Sequence, residues 1–181
     1  MAFSFNKVLL LTFLVIQGMY NAHARSKYPI SLICSKSPNP SLCLQAYNSD
    51  PRSSNTDLVG LCQIAIDFSE KSARQTLDLV NQLQHNAKGA MVTRLQSCAF
   101  HYLNCANLFN QTGKILQSGD FQKTVDGGNG ALAESANCDA GFIRSRPKEP
   151  DQLRQHSVLV QQLGAVAVLT ATWLAHLGPV A

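Results

Sequence analysis

Between residues 91 and 116, core-type residues recur at alternating spacings of four and three: Met91, Leu95, Cys98, Tyr102, Cys105, Phe109, Thr112 and Leu116. A seam of this period marks a helix packed along its length against other helices. Thr112 is its one polar member. Two members are cysteines, so any partner of Cys98 must come from a neighbouring helix at the same height.

The flanking segments supply such neighbours. Ser53-Ser54-Asn55-Thr56-Asp57 is rich in side chains that cap helix N-termini. The helix it starts runs to about Gln84, with Leu58, Leu61, Cys62, Ala65, Phe68, Leu79 and Leu83 on its apolar face. Asp67, Glu70, Lys71, Arg74 and Asp78 lie opposite, and Gly89 punctuates the end. The seam helix ends near Gln117-Ser118-Gly119-Asp120. A third helix is expected from Phe121 to about Cys138, broken or kinked at Asp126-Gly127-Gly128-Asn129-Gly130, where each glycine costs about 1 kcal/mol against alanine. After a polar loop with Pro147 and Pro150, a last helix starts near Asp151 with a seam of Leu159, Leu163, Val166, Thr170, Trp173 and Leu177. Its apolar run at 163–175 is too short for a membrane span and has an amphipathic period, so it reads as a core helix. Short connections make the fold class all-α, an up-down-up-down four-helix bundle.

The start of the chain reads differently. Lys7 precedes an apolar run at 8–16, and Ala22-His23-Ala24 fits a small-x-small cleavage pattern, so residues 1–24 read as a secretory signal peptide. Residues 25–181 then form the mature domain, with an N-terminal hairpin at 25–56 and the bundle at 57–181. All six cysteines lie in the mature part. In an oxidising compartment disulfides become the default, and six cysteines allow 15 pairings. Cys34 and Cys43 enclose so short a loop that a clamped helical hairpin is expected, the bond contributing roughly 2–3 kcal/mol in the chain-entropy model. Cys98 lies 21 residues before Gly119 and Cys138 lies 19 after it. In antiparallel helices joined at Gly119 the two reach nearly one height, which makes Cys98–Cys138 natural. Cys62 lies 27 residues before Gly89 and Cys105 lies 16 after it. That mismatch is about 16 Å along the axis, against the roughly 7 Å a disulfide tolerates between Cα atoms. Both read as buried free thiols.

No catalytic constellation stands out. His85, His101, His156 and His176 have no partnered serine or cysteine motif, and no cysteine or histidine spacing suggests a metal ligand set or a cofactor. The glycine cluster at 127–130 lacks the lysine of a phosphate loop. Asp139 and Glu134 read as solvated surface. Charged residues make up 14% of the chain, with a net charge of +4, or +3 once Lys7 is removed, and no Lys/Arg run. Nucleic-acid binding therefore has little support, and an anchoring membrane segment is not expected. Asn110-Gln111-Thr112 is an N-glycosylation sequon whose asparagine follows a seam residue and so faces solvent.

With a leader, a C-x8-C pair, a four-helix pattern and a second cysteine pair 40 residues apart, the chain resembles the plant invertase and pectin methylesterase inhibitor family. The resemblance is carried by Cys34 and Cys43, by the segment 53–61, and by Cys98-Ala99-Phe100-His101-Tyr102. Cys138-Asp139-Ala140-Gly141-Phe142 and the segment 163–174 complete it. It implies a secreted, non-enzymatic protein of the apoplast or vacuole, monomeric when free. Such a protein binds an acid invertase or a pectin methylesterase one to one over the active-site cleft, using bundle helices two to four and the turn between the second and third. That turn is Gly119 followed by Asp120, Phe121, Gln122 and Lys123, where invertase inhibitors often carry Pro-Lys-Phe after Gly-Asp. An exposed aromatic and cation there suit an acidic cleft. Phe121 also has a plainer reading, as a cap on the core of the third helix. The alternative function is a non-inhibitory secreted helical storage or ligand-binding protein. A lipid-transfer type is disfavoured, because adjacent Cys-Cys is absent.

Overall fold

The computed structural model describes residues 29–143 and 147–177; the leader expected at 1–24 lies outside them. Among the described residues six α-helices occur, and no strand: α1 (Ile30–Ser35), α2 (Pro40–Ser49), α3 (Leu58–His85), α4 (Ala90–Gln117), α5 (Phe121–Ala140) and α6 (Asp151–Leu177). A short 3-10 helix at Pro51–Asn55 links α2 to α3. α3 packs on α4, α4 on α5, α5 on α6, and α6 closes the ring on α3. This is the up-down-up-down bundle. α3 and α4 have 28 residues each and so run about 42 Å.

Local chemistry sets the helix ends. Asp57 caps α3 by accepting from the Gly60 amide at 2.9 Å. Ser53 and Ser54 lie upstream of it in the 3-10 turn. Asn39 accepts from the Leu42 amide at 3.1 Å, with Pro40 opening α2. The turn between α4 and α5 passes through Gly119 at φ +80°, a left-handed conformation that side chains with a Cβ resist.

The seam of α4 lies inward as expected. Leu95, Cys98, Tyr102, Cys105, Phe109, Thr112 and Leu116 are all buried, with Met91 partly covered at the end. The seams of α3 and α6 differ from expectation. On α3, Phe68, Leu79 and Leu83 are only half-buried, and the lower stripe is Ser69, Ser72, Ala73, Thr76 and Val80. On α6, Leu163, Val166 and Thr170 are buried, but Leu159 and Trp173 are half-buried and Leu177 is exposed. The buried row there is Leu153, Ser157, Val160, Gly164, Ala167, Ala171 and Leu174. Small residues recur in both stripes and let the helices approach closely, with Val80 on α3 and Leu153, Val160 and Leu174 on α6 as the larger members. Several of the buried hydroxyls cost little, since they bond their own helix. Ser69 donates to the Ala65 carbonyl at 2.7 Å, Thr76 to Ser72 at 2.8 Å and Thr170 to Val166 at 2.7 Å.

The kink expected at residues 126–130 is not there: α5 runs unbroken through them. A Cβ on Gly127 would stand 2.5 Å from Thr112 Oγ1, and one on Gly128 2.8 Å from Val168 Cγ2. These glycines therefore mark close approach of α5 to α4 and α6. Length also does not keep α6 from a membrane. With 27 residues it is long and apolar enough to cross one, and 44% of its most apolar window is buried inside the bundle. What speaks for a core helix is that its small-residue face packs on α3 and α5.

Two disulfides are present. Cys34–Cys43 clamps the α1–α2 hairpin (Cα–Cα 5.4 Å), and Cys98–Cys138 joins α4 to α5 (4.6 Å). Cys62 and Cys105 are buried free thiols. Burial pushes both up to about 12, which makes them poor nucleophiles. The hairpin sits on α3 and α6. Buried Tyr47 fastens it, donating to the Leu61 carbonyl at 3.2 Å beside Thr170 Oγ1 at 3.4 Å. Asn39 Nδ2 adds a bond to Gln162 Oε1 at 3.1 Å.

Candidate functional site

The turn at one end of the bundle presents the residues singled out in the sequence. Gly119 is exposed, and Asp120 caps α5 by accepting from the Lys123 amide at 3.1 Å. The same carboxylate holds the Lys123 ammonium at 2.7 Å. This hydrogen-bonded pair keeps the Asp120 carboxyl below the usual carboxylate range and raises Lys123. Lys123 is 73% exposed at its side chain and Asp120 37%. Gln122, also exposed, donates to Asp126 Oδ1 at 3.3 Å. Phe121 is different: it is half-buried and packs against the core cluster. The turn thus brings Asp120, Gln122 and Lys123 to its rim, while Phe121 serves the core with one side and leaves the other open.

Farther along, α4 turns two large apolar side chains outward. Phe100 is 61% exposed and Leu103 45%. Beside them His101 Nδ1 meets Glu134 Oε2 of α5 at 2.7 Å. Near the α5–α6 connection, Asp139 accepts from Ser157 Oγ at 2.6 and 2.8 Å and from Gln161 Nε2 at 2.7 Å. Glu134 and Asp139 are therefore half-buried and individually partnered, not solvated surface as their spacing suggested. Their partners, His101 on α4 and Ser157 and Gln161 on α6, lie on other helices and were not visible in the sequence. Glu149, in the same region, is pushed up to about 7, first by burial and then by the Asp139 charge. Nothing in its local sequence signals this, because Asp139 and the covering groups are distant along the chain.

Asn110 is exposed on α4, with Nδ2 3.4 and 3.5 Å from the Glu70 carboxylate oxygens of α3. An open hollow of about 440 Å³ lies beside the Cys98–Cys138 bridge, lined by Ala90, Thr93, Arg94, Ser97, Cys138 and Gly141. Arg94 stands 5.7 Å from the centre of the Phe142 ring there. Among the described residues no group of three or more His, Cys, Asp or Glu side chains is placed to hold a metal. The surface offers contacts: an apolar pair on α4 and a charged turn.

Comparison with known proteins bears on these features. Residues 29–169 match the family described as plant invertase/pectin methylesterase inhibitor. The chain is 34% identical to a pectinesterase inhibitor of Actinidia deliciosa over 146 residues, 80% of this chain and 78% of that protein. It is 30% identical to the cell wall / vacuolar inhibitor of fructosidase 1 of Arabidopsis thaliana over 115 residues, 63% of this chain and 56% of that one. A crystal structure of a mutant form of a pectin methylesterase inhibitor from Arabidopsis superposes with a TM-score of 0.69 at 24% identity, covering 79% of this chain and 95% of that chain. This last likeness concerns the fold alone.

Proposed function

The chain belongs to the plant invertase/pectin methylesterase inhibitor family, and on that premise we propose that it is a secreted inhibitor binding a pectin methylesterase or an acid invertase one to one over the active-site cleft. The observation that carries this reading is the family match across hairpin and bundle together, from residue 29 to residue 169. Identity is higher, and over more of the chain, to the pectinesterase inhibitor than to the fructosidase inhibitor, which favours pectin methylesterase as the target. In this reading residues 1–24 are a leader removed on secretion, and the mature protein is a monomer without catalytic activity.

The contact surface in this proposal includes Asp120, Phe121, Gln122 and Lys123. In the free protein Lys123 is already paired with Asp120. Meeting a carboxylate in an enzyme cleft exchanges one exposed ion pair for another, and exposed pairs contribute little. Desolvation of the open side of Phe121 and of neighbouring apolar surface then supplies most of the affinity. Lys123 supplies orientation and makes binding weaken where the enzyme carboxylate becomes protonated.

Titrating the mature protein against purified pectin methylesterase and purified acid invertase, at acidic and neutral pH, tests the reading. Stoichiometric loss of activity of one enzyme is expected, and inhibition of neither refutes it. Phe121→Ala and Lys123→Ala, each measured beside thermal melting, test the turn. Lost inhibition at unchanged melting supports the contact, and full inhibition by both variants moves the contact to another face.

A further inference from the structure

The sequon Asn110-Gln111-Thr112 lies inside α4 and not in a loop. On a helix, positions i and i+2 are about 200° apart, so they do not face the same way. Here Asn110 is exposed while Thr112 is 1% exposed. Thr112 Oγ1 donates to the Leu108 carbonyl at 2.7 Å. A Cβ on Gly127 would stand 2.5 Å from the same oxygen, so α5 closes directly over it. An enzyme that reads the asparagine and the hydroxyl together cannot engage both once α4 and α5 have packed.

The asparagine itself has room. It stands on the ridge between α4 and α3, where Glu70 receives its Nδ2 at 3.4 Å and is tied to Arg74 at 2.7 Å. A glycosylated Nδ2 keeps one N–H, so it remains a donor beside Glu70. The native fold thus tolerates the product but hides half of the acceptor signal.

We propose that Asn110 carries an N-linked oligosaccharide whose attachment is open only before α5 closes over Thr112, so that occupancy is set by a race between transfer and folding. The donor is a lipid diphosphate-linked oligosaccharide. The Asn110 amide nitrogen bonds to the anomeric carbon and gives up a proton, the anomeric carbon–oxygen bond breaks, and the lipid diphosphate leaves. α5 follows the sequon in the chain, and Cys98–Cys138 locks it onto α4. That bond is therefore a control on the race. The inference rests on the leader at residues 1–24 and not on which enzyme the protein inhibits.

The test is expression of the full chain in eukaryotic secretory cells, with glycosylated fractions read on total extracts by mobility before and after peptide N-glycosidase. The wild-type chain is expected to be modified in part and Cys98→Ser to a larger fraction, while Asn110→Gln and Thr112→Val lose the modification. Because total extracts are read, a variant that fails to fold still reports. As a second arm, purified unglycosylated protein is offered to microsomal oligosaccharyltransferase with its lipid-linked donor, folded or reduced and unfolded. Only the unfolded chain is expected to be accepted. The proposal is overturned if neither wild type nor Cys98→Ser is modified, if the two fractions are equal, or if the folded protein is accepted as readily as the unfolded one.

Discussion

Removing the bridge between α4 and α5 is the most informative perturbation of the fold. Cys98 and Cys138 are 40 residues apart and both 1% exposed. In the chain-entropy model, closing a loop of that length contributes about 4 kcal/mol at 25 °C. The hairpin bridge Cys34–Cys43 spans only nine residues, and the same relation gives it about 2.6 kcal/mol. Double alanine variants remove each bridge without leaving a buried hydroxyl in its place. For a domain of this size, about 4 kcal/mol corresponds to a fall in Tm of roughly 8–16 °C. The expected order is wild type above Cys34→Ala/Cys43→Ala above Cys98→Ala/Cys138→Ala. Calorimetric melting of the mature protein measures it, with alkylation of the unfolded protein to count free thiols. A drop of less than about 3 °C for the 98–138 pair, or the reverse order, would refute the loop-entropy reasoning.

Three further outcomes are expected. Gly164→Ala places a Cβ 2.5 Å from Leu132 Cδ2 and 2.9 Å from the buried Phe109 ring; crowding of about 1–3 kcal/mol outweighs the roughly 1 kcal/mol gain in helix propensity, so urea unfolding should show a lower midpoint. Tyr47→Phe leaves the Leu61 carbonyl without its hydroxyl donor and should cost about 1 kcal/mol, with faster amide exchange in the hairpin than in α4. Glu149, raised from 4.5 to about 7 in the folded chain, favours folding below its unfolded value, and that contribution is lost as pH rises through about 7. The Tm of wild type should therefore fall relative to Glu149→Gln between acidic and mildly alkaline pH, and parallel curves would refute the assignment.

The α4 seam was legible because large side chains such as Tyr102 and Phe109 mark it. The Gly119 turn was legible because a glycine between two helical patterns has few other uses. The inward stripes of α3 and α6 were not, since Ser69, Ser72, Thr76, Ser157 and Gly164 look like surface or breaker residues. Their burial depends on Ser69 and Thr76 bonding their own helix, on Ser157 bonding Asp139 across to α5, and on how closely a neighbour approaches. Gly127 and Gly128 read as a break for the same reason: propensity sees the missing side chain, and only packing shows the helix that fills the space. At the turn, the positions of Asp120 and Lys123 were readable and their pairing follows from i,i+3 spacing. That Phe121 lies half in the core depends on the rotation of α5, which the sequence leaves open. The raised Glu149 comes first from the burial around it and then from the Asp139 charge, an arrangement no local pattern encodes.

The bridge between Cys98 and Cys138 also bears on cleavage. The exposed turn at Gly119 lies within the loop that the bridge closes, at the kind of tip where proteases cut. A single scission there leaves α4 and α5 covalently joined, so no fragment departs. The nicked molecule would gain only the water of hydrolysis, migrate as one chain under non-reducing conditions and separate into two pieces only on reduction. In a protease-rich extracellular fluid, survival of the protein would then depend on its redox surroundings as much as on its resistance to cutting.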